Sequence, residues 1–308
     1  MNVLSLFNGM SVGRMALESM NVEVGTYYSS EIDKYANKAS EALFPDAVQL
    51  GDVTKWRDWD IDWANIDLVT GGFPCQAWSM AGKQLGDKDE RGMLFWVMLD
   101  IMKAAQHYNP NVHFMIENVK MKKEFEHYIT THTENALGKV HKILINSALV
   151  SAQNRNRYYW TSFEVEQPED KGILLKDIAE IDIEQIKTRP CQARQQEPKA
   201  SAICHHVANA TDIKGNESIK RVYAETGKAP TLTTMGGGHR EPKILVEDLK
   251  YRKLTPRECM RLQTVPENHI DTLLSAGISN TQLYKMTGNA WTMEVVRHIF
   301  EAMIEDNK

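Results

Sequence analysis

Cys75 stands in a sequence setting that suits chemistry. It follows a run of strand character at 67–70 and a Gly-Gly-Phe-Pro corner at 71–74. A strand that stops at such a corner places the next side chain at the carboxyl edge of a sheet, where open α/β folds bind their ligands. A thiolate at that edge can act as a nucleophile, whereas most free cysteines are small buried apolar residues. The stretch alone leaves both interpretations open.

A carboxylate is predicted at the same edge. The buried strand predicted at 112–116 is followed directly by Glu117, which is level with Cys75 if the two strands are neighbours. Arg155 and Arg157 alternate in an extended segment, so both are expected to project to one face. The sequence therefore predicts a thiol and a carboxylate at one edge, and two guanidinium groups that share a face.

Acidic residues also follow the first strands. The strand predicted at 2–7 leads into a turn with Gly9 and Gly13, but the middle glycine of a dinucleotide fingerprint is missing, which disfavours a pyrophosphate. Glu31 ends the second strand, where an acidic residue typically holds ribose hydroxyls, and Asp33 is the alternative. The alternative to a ribose-binding role for Glu31 is a structural one, as a carboxylate near a helix N-terminus.

The elements that must position these residues alternate between strand and helix. We predict strands at 24–29 and 47–50, a helix at 34–43 and an apolar helix from 91 to about 107. Asp52 follows the third strand, where its carboxylate can accept from an exocyclic amine.

Charge and cysteine usage narrow the class of protein. The segment 187–240 has nine Lys and Arg against four Asp and Glu; since the whole chain carries −5, the rest carries −10. A basic segment on an acidic body suits local contact with phosphates, although a solvated loop region with chance bias has the same composition. The four cysteines are far apart, which favours reduced thiols and a cytoplasmic location. No apolar run approaches the roughly 18 residues of a membrane span.

The sequence changes character near residue 170. Short strands, prolines and a glycine triplet at 236–238 replace the earlier alternation of strand and helix. We predict one domain at 1–170 together with 280–308, and a smaller β-rich domain at 171–279.

Taken together, the motifs resemble those of the cytosine-C5 DNA methyltransferase family across most of the chain. The match is weak only between about 160 and 229. In chain order the matching segments are Leu6-Phe7-Asn8-Gly9, Glu31, Gly51-Asp52-Val53, Gly72-Phe73-Pro74-Cys75-Gln76, Arg91-Gly92-x-Leu94-Phe95, Glu117-Asn118-Val119, Gln153-x-Arg155-x-Arg157, Thr231-Leu232-Thr233, Arg252-x-Leu254-Thr255-Pro256-Arg257-Glu258 and Gly288-Asn289-Ala290.

The resemblance implies a fold and a mechanism. The fold is α/β, a Rossmann-like methyltransferase fold with a mixed, mainly parallel sheet, plus a smaller irregular β-rich target-recognition domain. Cys75 is implied to add to C6 of a cytosine flipped out of duplex DNA, so that C5 can take a methyl group. Glu117 is implied to bind N3 and the exocyclic amine. Arg155 and Arg157 are implied to steady O2 of the base and the catalytic carboxylate.

The implied methyl donor is S-adenosylmethionine, which leaves as S-adenosylhomocysteine, with no metal. Phe7 is implied to pack on the adenine, Glu31 to hold the ribose and Asp52 to accept from N6. The further cofactor residues are Asn8, Gly9, Ile32, Val53, Pro74, Leu94, Asn289 and Trp291. Asn8 and Ile32 depart from the residues common in the family, which leaves the affinity for the cofactor open.

The implied partner is double-stranded DNA. The loop 80–91 is similar to the family's closing loop over the flipped base, and extrusion of the base costs a few kcal/mol. The DNA-recognition candidates are Asn216, Arg221, Thr231 and Thr233, and Arg221 can read guanine in the major groove. A cognate restriction endonuclease is a further candidate partner. We expect a monomer that does not bind membranes.

Three rival functions are disfavoured by the sequence. An RNA substrate is disfavoured, because the tRNA-modifying branch of the family carries a Cys-Phe-Thr tripeptide that is missing from this sequence. A catalytically silent DNA-binding regulator is disfavoured by the intact catalytic motifs. A nicotinamide-dependent oxidoreductase is disfavoured by the missing glycine. A zinc site at Cys191 and Cys204-His205-His206 has no C-x-x-C pair to support it.

Overall fold

A computed structural model of the chain describes residues 1–74, 92–180, 187–199, 201–246 and 249–306. The chain forms two compact units, each built from separate stretches of sequence. The first unit comprises Met1–Ile145, Asn156–Gln167 and Val296–Lys308, and the second comprises Asn146–Arg155 and Pro168–Val295.

The first unit is organised around a seven-stranded sheet in the order β3-β2-β1-β4-β5-β7-β6. The first five strands of this order pair in parallel, and β7 runs antiparallel to β5. The strands are β1 (Val3–Leu6), β2 (Tyr27–Ser30), β3 (Val48–Gln49), β4 (Leu68–Gly71), β5 (His113–Val119), β6 (His141–Asn146) and β7 (Asn156–Thr161). The predicted mixed, mainly parallel sheet is therefore confirmed.

Four α-helices lie between these strands in the described part of the chain, and α2 has the predicted bounds. They are α1 (Val12–Ser19), α2 (Lys34–Leu43), α3 (Met93–Tyr108) and α4 (Lys123–Leu137). Helix α2 begins where it does because the Asp33 carboxylate accepts from the Tyr35 amide at 2.9 Å, which satisfies a first-turn N–H group. The core of the unit lies where α3 packs on the sheet, around Phe95, Met98 and Trp160.

Two predicted strands differ from the observed ones by three residues at one end, and backbone pairing explains both. Strand β2 begins at Tyr27 rather than 24, because the Gly25 amide is bonded to the Met1 carbonyl at 2.9 Å, outside the ladder. Strand β5 continues past Ile116 to Val119, because its partner β7 runs alongside it. Glu117 therefore lies within the strand rather than after it.

The second unit contains a closed five-stranded barrel in the order β10-β11-β12-β8-β9, with β9 and β10 paired to complete the ring. Its strands are β8 (Arg189–Ala193), β9 (His206–Ala210), β10 (Arg221–Tyr223), β11 (Lys243–Val246) and β12 (Lys250–Lys253). A β-rich region was predicted, but its closure into a ring was not.

The remaining α-helices lie before, between and after the barrel strands in the chain. They are α5 (Leu175–Ile178), α6 (Glu217–Lys220), α7 (Pro256–Leu262), α8 (Glu267–Ser275), α9 (Asn280–Asn289) and α10 (Met293–Asp306), of which α10 begins in the second unit and ends in the first. In the described ranges of the chain, no helix is long and apolar enough to cross a membrane.

A buried ion pair ties α7 to β12. The Arg252 guanidinium donates to both carboxylate oxygens of Glu258 at 2.8 and 2.6 Å, and the two side chains are 1% and 0% exposed. Glu258 also accepts from the Thr255 amide at 2.8 Å, while the Thr255 hydroxyl accepts from the Glu258 amide, a reciprocal capping box at the start of α7. This pair fixes the beginning of the helix.

The two units do not coincide with the predicted functional domains. Residues 146–155 and 280–295 belong to the second unit, whereas the prediction placed both in the cofactor-binding domain. The assignment of 1–170 with 280–308 to cofactor binding and catalysis, and of 171–279 to DNA recognition, stays a prediction.

Candidate active site

The turn between β1 and α1 adopts a left-handed backbone at three positions. Phe7, Gly9 and Ser11 have φ values of 54°, 58° and 63°. This conformation is costly for residues with a side chain, so the surroundings must hold it. A Cβ at Gly9 would meet nothing within 4 Å, so the glycine is favoured there by its φ rather than by crowding.

Three backbone amides converge on the Glu31 carboxylate. The Gly9 amide donates to Oε2 at 2.9 Å, and the amides of Ile32 and Asp33 donate to Oε1 at 2.8 Å each. These bonds fix the direction of the carboxylate. The N-cap of α2 is Asp33, so the capping role considered for Glu31 falls to its neighbour.

Asp52 presents a second acceptor after β3. Its Oδ1 accepts from the amide and the hydroxyl of Thr54 at 2.9 and 2.8 Å. These hydrogen bonds, the amide bond first, hold the pKa of the Asp52 carboxyl below its usual value. Asp52 therefore remains an anionic acceptor at neutral pH.

The residues around these acceptors fit a nucleoside. Ile32 next to Glu31 is 76% exposed, an apolar surface that a base can cover, and Phe7 and Pro74 are half-buried. Two carboxylates that accept hydrogen bonds suit ribose hydroxyls and an exocyclic amine. Val53 is buried, and Leu94 packs on the core from the first turn of α3.

Glu117 and Arg157 form an ion pair across β5 and β7. Arg157 Nε lies 2.9 Å from Glu117 Oε1, and both side chains are 12% exposed. The strand register explains the contact: Glu117 faces Tyr159 and Val119 faces Arg157, so the pair is diagonal on one face of the sheet. The Arg157 guanidinium thus fixes the Glu117 carboxylate in a setting that is largely shielded from solvent.

Asn118 has a positioning role that the sequence did not indicate. Its buried amide donates to the Phe73 carbonyl at 3.0 Å, while its Oδ1 accepts from the Val119 amide at 2.8 Å. Phe73 in turn packs on Phe95, with ring centroids 5.0 Å apart. Strand β5 therefore holds the chain two residues before Cys75. The only feature of the sequence that singles out Asn118 is its place in the Glu-Asn-Val motif, which does not reveal this contact.

Cys75 and the predicted closing loop 80–91 lie outside the described residues. Their predicted roles stay predictions.

Arg155 lies in the second unit and is 2% exposed. Its guanidinium donates to the carbonyls of Leu232, Gly288 and Ala290 at 3.2, 3.1 and 2.9 Å. Strand β7 begins at Asn156, so the alternation that predicted a common face for Arg155 and Arg157 does not include Arg155. These bonds make Arg155 a residue that positions backbone.

The backbone that Arg155 holds includes two predicted site segments. Gly288 ends close to the chain at 233–234: a Cβ there would lie 1.9 Å from the Thr233 carbonyl oxygen, so only glycine fits. Asn289, the last residue of α9, is exposed, and Trp291, two residues later, is half-buried. Gln263 supports the same turn, since its amide donates to the Thr287 carbonyl at 2.6 Å.

The DNA-recognition candidates divide into two groups in the second unit. Asn216 caps α6 by accepting from the Ser218 amide at 3.1 Å, and the exposed Arg221 follows that helix as the first residue of β10. Thr231 donates to the Asn154 carbonyl at 2.6 Å, and Thr233 accepts from the Met235 amide at 3.3 Å. Both threonines are exposed.

The candidate zinc ligands do not form a cluster. Cys191 is buried, and burial raises the pKa of its thiol. Across the residues described, no three His, Cys, Asp or Glu side chains come together as metal ligands.

Comparison with known proteins identifies the family to which this chain is similar. The sequence model of the C-5 cytosine-specific DNA methylase family matches residues 1–305. The chain is 31% identical over 322 residues to the type II methyltransferase M.HhaI of Haemophilus parahaemolyticus. This alignment covers 96% of this chain and 92% of that protein. It is 28% identical over 443 residues to the orphan methyltransferase M.SPBetaI of Bacillus phage SPbeta, with 99% and 97% covered.

A solved structure supports the fold. The Entamoeba histolytica methyltransferase EhMeth is similar with a TM-score of 0.73 at 17% identity, covering 100% of this chain and 98% of that one. The predicted fold class and the predicted resemblance are both confirmed. The chain belongs to the C-5 cytosine-specific DNA methylase family.

Proposed function

We propose that this DNA cytosine-5 methyltransferase flips its target cytosine out of duplex DNA and attacks C6 with the thiolate of Cys75. Bond formation at C6, with a proton delivered to N3, makes C5 nucleophilic. S-adenosylmethionine supplies the electrophilic methyl group that C5 takes. Water then removes the C5 proton, the sulfur of Cys75 leaves C6 as the ring double bond is restored, and N3 gives back the proton that it received.

The Glu117–Arg157 pair is the observation that carries this proposal. A carboxyl group that is 12% exposed and oriented by a guanidinium at 2.9 Å suits recognition of N3 and the exocyclic amine of cytosine. Arg157 is then also the group to steady O2 of the base. The bond from Asn118, next to Glu117, to the Phe73 carbonyl fixes the chain two residues before Cys75 and so supports this pairing of roles.

The acceptors after β2 and β3 are proposed to hold the cofactor. Glu31 binds the ribose hydroxyls through the lone pairs that its three amide donors leave open. Asp52 accepts from the adenine N6, and Phe7 packs on the adenine ring. The remaining cofactor residues are those that the resemblance assigns: Asn8, Gly9, Ile32, Val53, Pro74, Leu94, Asn289 and Trp291.

Recognition of the DNA sequence is proposed for the second unit. Arg221 is an exposed guanidinium that can read guanine bidentately, which is worth about 1–3 kcal/mol of discrimination. Asn216, Thr231 and Thr233 are the accompanying candidates. The bacterial and phage origin of the relatives is compatible with a cytoplasmic monomer that acts with a restriction endonuclease or as an orphan enzyme.

A methyl-transfer assay tests the proposal. The protein is incubated with S-adenosylmethionine carrying a labelled methyl group, and with either duplex DNA or tRNA. We expect label in DNA as 5-methylcytosine, no transfer by Cys75→Ser, and retained DNA binding by that variant. Label in tRNA alone would assign an RNA substrate, and methylation by Cys75→Ser would refute the thiolate mechanism.

A further inference from the structure

Four buried polar side chains form a continuous hydrogen-bond network at the turn that carries Gly9. The Tyr27 hydroxyl donates to Asn8 Oδ1 at 3.0 Å, and Asn8 Nδ2 donates to Ser11 Oγ at 2.8 Å. The hydroxyls of Ser11 and Ser40 lie 2.7 Å apart and share a hydrogen bond. We call Tyr27, Asn8, Ser11 and Ser40 the Asn8 network.

The Asn8 network is shielded from water. Ser11 and Ser40 are 0% exposed, Tyr27 is 1% and Asn8 is 8% exposed. Burial raises the pKa of Tyr27 to about 12, so its hydroxyl keeps its proton and remains the donor. Because that donor contacts Oδ1, the Asn8 amide has one favourable orientation, with its NH₂ group toward Ser11.

The network replaces an ordinary helix cap. Ser11 is the N-cap residue of α1, yet its side chain makes no capping bond to the helix. Its hydroxyl contacts Asn8 and Ser40 instead. A serine in this position normally satisfies a first-turn amide, so the diverted hydroxyl indicates that it serves to hold the turn.

The backbone of the turn depends on the same residues. The Asn8 amide donates to the Ser30 carbonyl at 3.1 Å, and the Ser11 amide donates to the Asn8 carbonyl at 3.2 Å. Asn8 thus has its amide, carbonyl and side chain engaged between the left-handed residues Phe7 and Gly9. Such a conformation persists only where surrounding contacts determine it.

The network reaches the acceptor that we assign to the cofactor. Tyr27 opens β2 and Glu31 follows its last residue, so the network and the carboxylate are joined through one strand. They are joined a second time by the turn, because the Gly9 amide donates to Glu31 Oε2 at 2.9 Å. A shift of the turn would therefore move the donor that directs this carboxylate.

We propose that Asn8 and Tyr27 are positioning residues for S-adenosylmethionine, whose ribose they help to bind by fixing the Gly9 amide against the Glu31 carboxylate. This inference rests on the proposed assignment of Glu31 to the ribose. In this scheme the Tyr27 and Asn8 side chains do not touch the cofactor, so that for the Asn8 side chain the positioning role replaces the direct contact that the resemblance implies. Both act through the turn.

The test measures binding of S-adenosylhomocysteine and of its 2′,3′-dideoxy analogue by titration calorimetry. Tyr27→Phe removes one hydroxyl from the network. We expect it to weaken binding of S-adenosylhomocysteine about tenfold, equivalent to about 1.4 kcal/mol, and binding of the analogue less than about twofold. Asn8→Ala should have the same selective effect, and the double variant should lose less than the sum of the two.

Thr133→Val is the matched control. Thr133 is 0% exposed in α4, and its hydroxyl donates to the Ile129 carbonyl at 2.7 Å. We expect this variant to lower the melting temperature without changing the affinity for either ligand. Should Tyr27→Phe fail to fold, Ser40→Ala removes a hydroxyl from the other end of the network and allows the same comparison.

The outcomes distinguish a failure of the ribose assignment of Glu31 from a failure of the role proposed for the Asn8 network. If Glu31→Gln binds S-adenosylhomocysteine like the wild type, the ribose assignment fails, and the role of the network fails with it. If Glu31→Gln binds more weakly but Tyr27→Phe does not, only the network proposal is overturned. If Tyr27→Phe weakens the binding of both ligands equally, the network proposal is also overturned, since the effect would not depend on the ribose hydroxyls.

Discussion

Arg155→Met separates a catalytic role from a positioning role for this arginine. The family resemblance implied that Arg155, with Arg157, steadies the base and the catalytic carboxylate, whereas the Arg155 guanidinium donates to three carbonyls and the residue is 2% exposed. Methionine has a similar length but no donor. The variant therefore leaves three carbonyls of the second unit without this partner.

The expected loss follows from those three bonds. A hydrogen bond to a charged group contributes about 1.5–3 kcal/mol, and a buried carbonyl left unsatisfied costs about 1–3 kcal/mol. Because the bonds share one guanidinium, they are not additive, and we expect a decrease of about 3–5 kcal/mol in the free energy of unfolding. Arg155→Lys can restore part of the bonding and should give an intermediate value.

Urea unfolding followed by circular dichroism and by tryptophan fluorescence measures this decrease. The two probes are compared because a chain with two compact units need not unfold in one step. Single-turnover methylation is then measured at a temperature where Arg155→Met is folded. We expect most of the wild-type rate there, and a much larger loss for Arg157→Met, which removes the partner of Glu117. Unchanged unfolding of Arg155→Met together with complete loss of methylation would refute the positioning role.

Four further predictions follow from buried contacts. Arg252→Met leaves the Glu258 carboxylate buried without its guanidinium and should lower the free energy of unfolding by about 3–5 kcal/mol in urea; a wild-type unfolding curve would contradict this. Asn118→Ala should reduce kcat without changing the affinity for S-adenosylhomocysteine, whereas Asn109→Ala, which removes a similar bond to the Ile66 carbonyl, should not reduce kcat. Gly288→Ala places a Cβ 1.9 Å from the Thr233 oxygen and should lower the melting temperature, so equal melting of variant and wild type would exclude the clash. Burial lowers the pKa of Lys243 from 10.5 to about 8, so the unfolded chain binds more protons between these pH values, and stability should rise with pH there; Lys243→Met should lose this rise in urea titrations, and an identical pH profile would contradict it.

The sheet and the acceptors were predictable because their signals are local. Apolar runs that end in glycine or an acidic residue predicted the strands that carry Glu31, Asp52 and Glu117. Asp33 before α2 is an ordinary capping signal, and the predicted helix bounds were correct.

Other features depend on partners that are distant in the sequence. The length of β5 is set by antiparallel pairing with β7, some 40 residues later, which periodicity in a single segment does not reveal. The hydrogen bonds of Arg155 go to carbonyls 77 to 135 residues away. Alternation alone placed this arginine beside Arg157, because it could not show that the strand begins at Asn156.

The Asn8 network could not be predicted from the sequence for a related reason. Asn8 was recognised as a departure from the family, but its partners Tyr27 and Ser40 lie on separate elements and carry no motif. Polar residues within apolar strands are ambiguous until their hydrogen-bond partners are known.

The closed barrel bears on how this enzyme could acquire a new target sequence. Each barrel strand has a paired neighbour on both sides, so among the described residues the ring has no edge strand. The connection between β9 and β10, most of which is exposed, can therefore change in length and composition while the ring stays intact. If this connection reads the DNA, as proposed, selection can alter the recognised sequence by replacing it, at little risk of aggregation.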